Sequence, residues 1–309
     1  MRIAVIGAGA VGAYFGGRLA QAGEDVMFVT RPQAVDHLRA NGLRIESVAG
    51  DFAVRPQFTA NPAELGHVDA VLVAVKSWQV REATQTIRPL VGDETIVVPL
   101  QNGVEAPEHL IAALGDGAVL GGVCRIISAV IEPGRIRHSG IEPSVTFGEL
   151  SGGACARGVP LRDAFRRAGV AAEISSDVTC SMWQKFLFLA AWGGVGSVTR
   201  MDIGTIRSTA ETRELLVSAM HEIAAIARAR SVRLPADAVA AAMDFIDRSP
   251  AHGTTSMQRD LAAGRASELE QQTGAVVRFG HLGAVPVPVH EFLFACLLPT
   301  ETLARRSMA

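Results

Sequence analysis

The sequence predicts two domains of different class, an α/β domain with a doubly wound, mostly parallel sheet over residues 1–176 and an all-α helical domain over residues 177–309. Three observations carry this. Short β-branched runs alternate with helical patterns through the first half, which is the order of a βαβ sheet. A glycine-rich hexapeptide stands directly between the first such run and the first helix. Beyond Asp177 the strand signals stop, and Ala-, Arg- and Glu-rich segments with helical periodicity run almost to the end. A chain of 309 residues is long enough for two domains of ordinary size.

Taken in order, Arg2–Ile6 reads as a buried strand, residues 11–22 as an amphipathic helix and residues 25–30 as a second strand. Residues 68–75 and 95–99 read as two more strands, with helices near 32–40, 79–90 and 106–114. Between 118 and 148 the pattern changes to two short strands around a Pro133-Gly134 turn, expected to add an antiparallel extension to the parallel sheet. A helix near 161–168 and a strand near 171–175 close the domain. A long helix beginning near Ser176 then leads into the second domain, whose helices are separated at Pro235, Ser249-Pro250 and Val285-Pro286-Val287-Pro288.

Composition narrows the function classes. Hydrophobic residues make up 49% and charged residues 19%, the balance of a folded globular chain. The formal net charge of -2 supplies no bulk positive field for a nucleic acid or an anionic membrane, so neither is expected as a partner. Cys124, Cys155, Cys180 and Cys296 form no C-x-x-C pair and suit reduced thiols. With no signal peptide pattern and no apolar run of spanning length, the expected location is the cytoplasm. The eight histidines are scattered without ligand spacing, so no metal is expected; His138 and His252 are candidate polar pocket groups.

Gly7-Ala8-Gly9-Ala10-Val11-Gly12 is a G-x-G-x-x-G that follows a strand and opens a helix. Glycines there allow a tight turn, close approach of the backbone to a pyrophosphate and close packing of helix on strand, while free N–H groups at the helix start face the anion. This is the phosphate loop of a Rossmann-type domain. The second strand ends Val29-Thr30-Arg31. NAD and flavin sites carry an acidic residue at that place for the ribose hydroxyls, whereas a guanidinium suits a 2′-phosphate, so Arg31 points to NADP and away from a flavin.

Among 29 basic side chains only two are lysines, Lys76 and Lys185. Lys76 follows the strand at 68–75, on the carboxyl edge where ligands of open α/β sheets collect, and Asn102 follows the next strand on the same edge. Lys185 lies on the first helix of the second domain beside Trp183, Phe186 and Phe188.

With these pieces in place the chain resembles the ketopantoate reductase (2-dehydropantoate 2-reductase) family over essentially its whole length. The matching motifs are residues 7–12 with Arg31, Lys76-Ser77-Trp78-Gln79, Leu100-Gln101-Asn102-Gly103, Trp183-Gln184-Lys185, and Ser256-Met257-Gln258-Arg259-Asp260 with Glu268 beyond it. The resemblance implies a Rossmann domain followed by a helical domain similar to that of 6-phosphogluconate dehydrogenase, with the active site in the cleft between them. It implies hydride transfer from NADPH to a small-molecule 2-oxo acid, in the first instance 2-dehydropantoate on the route to pantothenate. Lys185 matches the general acid; a lysine can lose its proton when desolvated, whereas an arginine stays charged. Lys76 and Asn102 match residues lining the nicotinamide end, with Asn102 also near substrate. Glu268 matches a carboxylate that contacts cofactor or substrate, and Ser256 a serine that binds the substrate carboxylate. Read without the resemblance, Glu268 is a helix-surface carboxylate and Ser256 a helix cap. Homodimers are common among helical domains of this type, and no surface pattern in the sequence sets the oligomeric state.

The match fails at three places. Family asparagines four and eight residues after the lysine, which hold the substrate's hydroxyl and carboxylate, are Leu189 and Gly193 here, and another is Gly253. The only asparagines are Asn41, Asn61 and Asn102, so the second domain is expected to lack the usual amide contacts. A roomier, more apolar pocket and a different 2-oxo acid or ketone follow as one expectation. The other is 2-dehydropantoate held through arginines such as Arg200, Arg259 or Arg265. A nucleotide-binding sensor without turnover is a third, more remote reading.

Overall fold

The computed structural model describes residues 1–307. They divide into two compact units, one made of Met1–Gln101 and Glu105–Ser181, the other of Asn102–Val104 and the residues from Met182 onward.

The strands, all in the first unit, are β1 (Arg2–Ile6), β2 (Asp25–Val29), β3 (Leu43–Ser47), β4 (Phe52–Val54), β5 (Gln57–Thr59), β6 (Ala70–Val73), β7 (Ile96–Pro99), β8 (Gly121–Glu132), β9 (Arg135–Gly148) and β10 (Ala171–Ile174). Its main helices are α1 (Ala10–Gln21), α2 (Pro32–Asn41), α3 (Val80–Ile87), α4 (Ala106–Leu114) and α5 (Val159–Arg167). One sheet runs β5-β2-β1-β6-β7 with every neighbouring pair parallel. The chain leaves β1 toward β2 on one side and returns as β6 on the other, so the turn after β1 lies at the switch in strand order, where open α/β sheets bind ligands.

These strands are apolar on both faces because both are covered. In β1, Ile3 and Val5 enter one core while Ala4 and Ile6 enter another; β6 divides Ala70 and Leu72 from Val71 and Val73 in the same way. The second of these cores takes Val80 and Ile87 from α3 and Leu110 from α4. The first holds Tyr14, Phe15 and Leu19 of α1 against Phe28, Ile45, Phe52, Ile136 and Phe147, which come from both sheets of the unit. Burying each such large side chain stabilises the fold by roughly 1.5–3 kcal/mol.

The hairpin at 118–148 does not add the expected antiparallel extension; its first residues meet the parallel sheet only in a parallel bridge between Val119 and Val97. The antiparallel pair β8 and β9 belongs to a second, mixed sheet in which the other edge of β9 pairs in parallel with β3 near its start and with β10 near its end. At fourteen residues β9 is long enough to serve both partners. Strand β3 is a five-residue segment whose place is set by this distant pairing, and it pairs in turn with β4. Local periodicity carries no signal of that kind.

The second unit is helical. The boundary falls within α6 (Val178–Thr199), which is followed by α7 (Ile203–Ser208), α8 (Ala210–Ala229), α9 (Ala238–Arg248), α10 (Ser256–Ala262), α11 (Thr273–Gly283) and α12 (Pro288–Arg306). Three breaks fall at prolines: Pro235 lies between α8 and α9, Pro250 follows α9, and Pro288 opens α12 at the position where a missing N–H costs nothing; the breaks after α6, α7 and α10 contain no proline, and Pro299 lies inside α12. Among the described residues no helix is long and apolar enough to cross a membrane.

Candidate active site

In the first unit the candidate site is built from main chain. Gly7 has φ +102, a left-handed conformation, and its N–H donates to Val29 O at 2.9 Å, carrying the β1–β2 pairing into the turn. At Gly12 a Cβ would stand 2.1 Å from Gly7 O and 2.9 Å from Ala74 Cβ, so only glycine lets α1 lie this close to the turn. At Gly9 a Cβ would meet nothing within 4 Å. The three glycines therefore serve three purposes: a turn, a contact and an approach left clear. The N-terminus of α1 has no side-chain cap and no acidic residue in its first turn, so its N–H groups and the positive end of the helix dipole are available to an anion. This arrangement fits a dinucleotide pyrophosphate.

Thr30 and Arg31 leave the sheet beside that turn. Thr30 N–H donates to Thr59 O at 3.0 Å, and Arg31 stands exposed at the N-cap of α2. No acidic side chain pairs with the Arg31 guanidinium among the described residues. Lys76 is exposed, caps a short 3-10 turn at Ser77–Gln79 and places Nζ 5.6 Å from the centre of the Trp78 ring. Its own N–H donates to Gln79 Oε1 at 3.3 Å. Behind it the buried Gln101 carboxamide donates to Val73 O and Val75 O at 2.8 and 3.0 Å, fixing the course of the chain out of β6.

In the second unit the candidate site is built from side chains. Asn102, read from the sequence as part of the sheet edge, groups with the helical unit: its Nδ2 donates to Glu268 Oε2 at 3.1 Å. Glu268 is 7% exposed and stands in the loop before α11, so it is not a helix-surface carboxylate. Gln272 Nε2 donates to the same oxygen at 3.4 Å. The loop itself is held from α12. Glu301, 1% exposed, accepts from Ser267 N at 3.0 Å and Ser267 Oγ at 2.6 Å, while Arg305 Nε lies 2.7 Å from the other carboxylate oxygen.

Lys185 is half-buried on α6, flanked in sequence by buried Trp183 and Phe186, whose rings meet edge to face at 5.6 Å. Ser256 is half-buried at the first position of α10. It does not cap that helix; Thr255 does, accepting from Gln258 N–H at 3.1 Å. Arg259 donates to Thr254 O and Arg265 pairs with Asp260, while Arg200 is exposed with φ 58. His138 is a satisfied core residue, bonded to Ser47 Oγ and Ile141 O against Tyr14, and is not a pocket group.

Two expectations about the missing asparagines change. The second unit does carry buried amides, but as glutamines: Gln258 and Gln272 are 6% and 1% exposed, and each has an Oε1 without a partner. Counting both amide residue types would have found Gln272, four residues after Glu268. Nor are the bare positions openings. A Cβ at Gly193 would stand 2.9 Å from Met257 Cε, and one at Gly253 would stand 3.2 Å from Trp192 Cζ2.

The family model described as Ketopantoate reductase PanE/ApbA matches residues 3–152, and the one described as Ketopantoate reductase PanE/ApbA C terminal matches residues 177–301. The chain is 32% identical over 301 residues to the uncharacterized oxidoreductase YkpB of Bacillus subtilis, covering 96% of this chain and 98% of the relative. It is 28% identical over 280 residues to the 2-dehydropantoate 2-reductase of a Nostoc species, covering 88% and 86%. The crystal structure of a PanE/ApbA family ketopantoate reductase from Ralstonia eutropha superposes with a TM-score of 0.89 at 31% identity, covering 99% of this chain and 100% of that one.

Proposed function

On the premise that the chain belongs to the ketopantoate reductase family, as the two family models together establish, we propose that it reduces a 2-oxo acid to a 2-hydroxy acid with NADPH. The observation that carries the proposal is the pairing of chemistries just described. One unit offers an anion-ready helix start with an unpaired arginine beside it, and the other a half-buried lysine with a carboxylate held in place by amides.

Bound NADPH supplies the hydride. The main-chain N–H groups at the start of α1 would hold the pyrophosphate, and the Arg31 guanidinium would pair with the 2′-phosphate. Lys76 and Asn102 orient the nicotinamide end. Glu268, kept in position by Asn102 and Gln272, contacts cofactor or substrate, and Ser256 binds the substrate carboxylate. Lys185 donates a proton to the carbonyl oxygen as negative charge develops there, a role arginine cannot fill. The reaction needs no metal on this account. 2-Dehydropantoate, the substrate in the names of several curated relatives, is the first compound to assay.

A panel of 2-oxo acids incubated with NADPH or NADH, followed by loss of reduced nicotinamide absorbance, tests the proposal. Turnover of at least one acid with preference for NADPH is expected. Absence of turnover with every acid would leave a nucleotide-binding protein and end the enzymatic reading.

A further inference from the structure

The face of α6 beyond Lys185 is apolar, and its bare positions are filled rather than empty. At 3.6 residues per turn, Leu189, Trp192 and Gly193 share the side of the helix that carries Lys185, with Phe188 next to Leu189. Leu189 and Phe188 are half-buried, and the Phe188 ring packs on Phe245 at 4.6 Å. The room a side chain at Gly193 would occupy is taken by the Met257 methyl group, and that at Gly253 by the edge of the Trp192 indole.

Polar atoms exist nearby without being accessible. Gln272 Oε1 and Thr255 Oγ1 each lie 3.5 Å from where a Gly193 Cβ would be. Gln272 Oε1 and Trp192 Nε1 are closed off from solvent, and Thr255 is occupied in capping α10. A hydroxyl brought against this face would lose water and gain no partner, whereas a hydrocarbon would lose only water it holds weakly.

We infer that Leu189 and Trp192, with Phe188 beside them, form the specificity surface, and that it selects 2-oxo acids whose side chain is a compact hydrocarbon over those bearing a hydroxyl. The inference rests on the proposed 2-oxo acid reduction and names its substrate class. Leu189, half-buried, acts by contact with the substrate side chain; Trp192, buried, shapes the wall behind it.

The test compares two acids that differ by one oxygen, 2-dehydropantoate (4-hydroxy-3,3-dimethyl-2-oxobutanoate) and 3,3-dimethyl-2-oxobutanoate, by kcat/KM with NADPH. A site that hydrogen-bonds the hydroxyl rejects the analogue lacking it by about 10⁴–10⁵, whereas an apolar wall disfavours the added hydroxyl by up to about 10². The expected result is a preference for the hydrocarbon acid of about 10- to 100-fold. A preference for 2-dehydropantoate, or equal rates, overturns the inference while leaving 2-oxo acid reduction standing. No turnover of any 2-oxo acid removes both. Leu189→Asn, which puts an amide on the same face, should move the ratio toward 2-dehydropantoate by about tenfold or more; an unchanged ratio in the folded variant removes Leu189 from the surface. The wild-type ratio decides the substrate class whether or not the variant folds.

Discussion

In the proposed reaction the turn after β1 and the face of α6 around Lys185 would act by different physical means. The turn is built from main chain: one glycine takes a left-handed φ, one leaves no room for a Cβ beside Gly7 O, one leaves space, and the neighbouring N–H groups at the helix start carry no side-chain cap. All of it lies within six consecutive residues. The polar surroundings of the second site work through side chains drawn from distant segments, with Asn102 and Gln272 meeting on Glu268 while Glu301 and Arg305 hold the loop that carries it. Function made of backbone depends on local sequence, whereas function made of converging side chains depends on the whole unit that brings them together. The first should therefore fail to point changes within the motif and the second to changes far from it.

Glu301→Ala should show the largest effect. It leaves Ser267 N–H, Ser267 Oγ and the Arg305 guanidinium without their buried partner, at a cost of about 3–5 kcal/mol by analogy with breaking a buried ion pair. Chemical denaturation measures the loss, and kcat should fall although Glu301 is thirty-three residues beyond Glu268 in sequence. A variant as stable and as active as wild type would show that the Glu268 loop holds itself.

Glycine replacements in the turn separate packing from binding. Gly12→Ala should destabilise the protein by about 1–3 kcal/mol, since the added methyl group meets Gly7 O. Gly9→Ala should leave the melting temperature unchanged while weakening NADPH binding by about tenfold or more, because its methyl group points into clear space that a pyrophosphate would use. Equal NADPH affinity in Gly9→Ala and wild type, by titration calorimetry, would remove the turn from the cofactor site. At the edge of the same turn, Arg31→Ala should cut the NADPH-over-NADH ratio of kcat/KM by about 10- to 100-fold, the worth of a charge-assisted contact of about 1.5–3 kcal/mol. An unaltered ratio would mean that another group reads the ribose.

The smallest effect serves as a control on the first unit away from the site. Arg157 grips the Glu149 carboxylate with Nε and Nη2 at 2.8 and 2.7 Å, and these hydrogen bonds hold the Glu149 pKa below its ordinary value. With the folded pKa depressed, the pair's contribution is present above the unfolded carboxylate pKa and is lost as pH falls through the folded one. The difference in stability between wild type and Arg157→Ala should therefore be about 1 kcal/mol or less near neutrality and shrink in acid. A difference that does not vary with pH would show that packing, and not the ion pair, is what Arg157 contributes.

What could be read in the sequence follows the same division. Residues 7–12, the strands on either side, Arg31 and the proline-marked helix ends are local, and each stands where its own neighbours imply. Strands β4 and β5, of three residues each, are too short for periodicity to register, and β3 and the second sheet depend on pairing across some ninety residues of chain, as between Ser47 and His138. Asn102 could be placed after a strand but not assigned to the helical unit, because the hydrogen bond that ties it there reaches Glu268. Gly193 and Gly253 read as lost side chains; only coordinates show Met257 and Trp192 in the space.

In the proposed reaction Lys185 delivers the proton. Lys185→Arg keeps the charge and much of the bulk but cannot release a proton, so it isolates that role from electrostatics. Single-turnover reduction of a 2-oxo acid that the wild type accepts should be slower by about 10²–10⁴ in this variant, with NADPH affinity within about threefold of wild type. A rate close to wild type would contradict the account, because the proton would then have to come from another group.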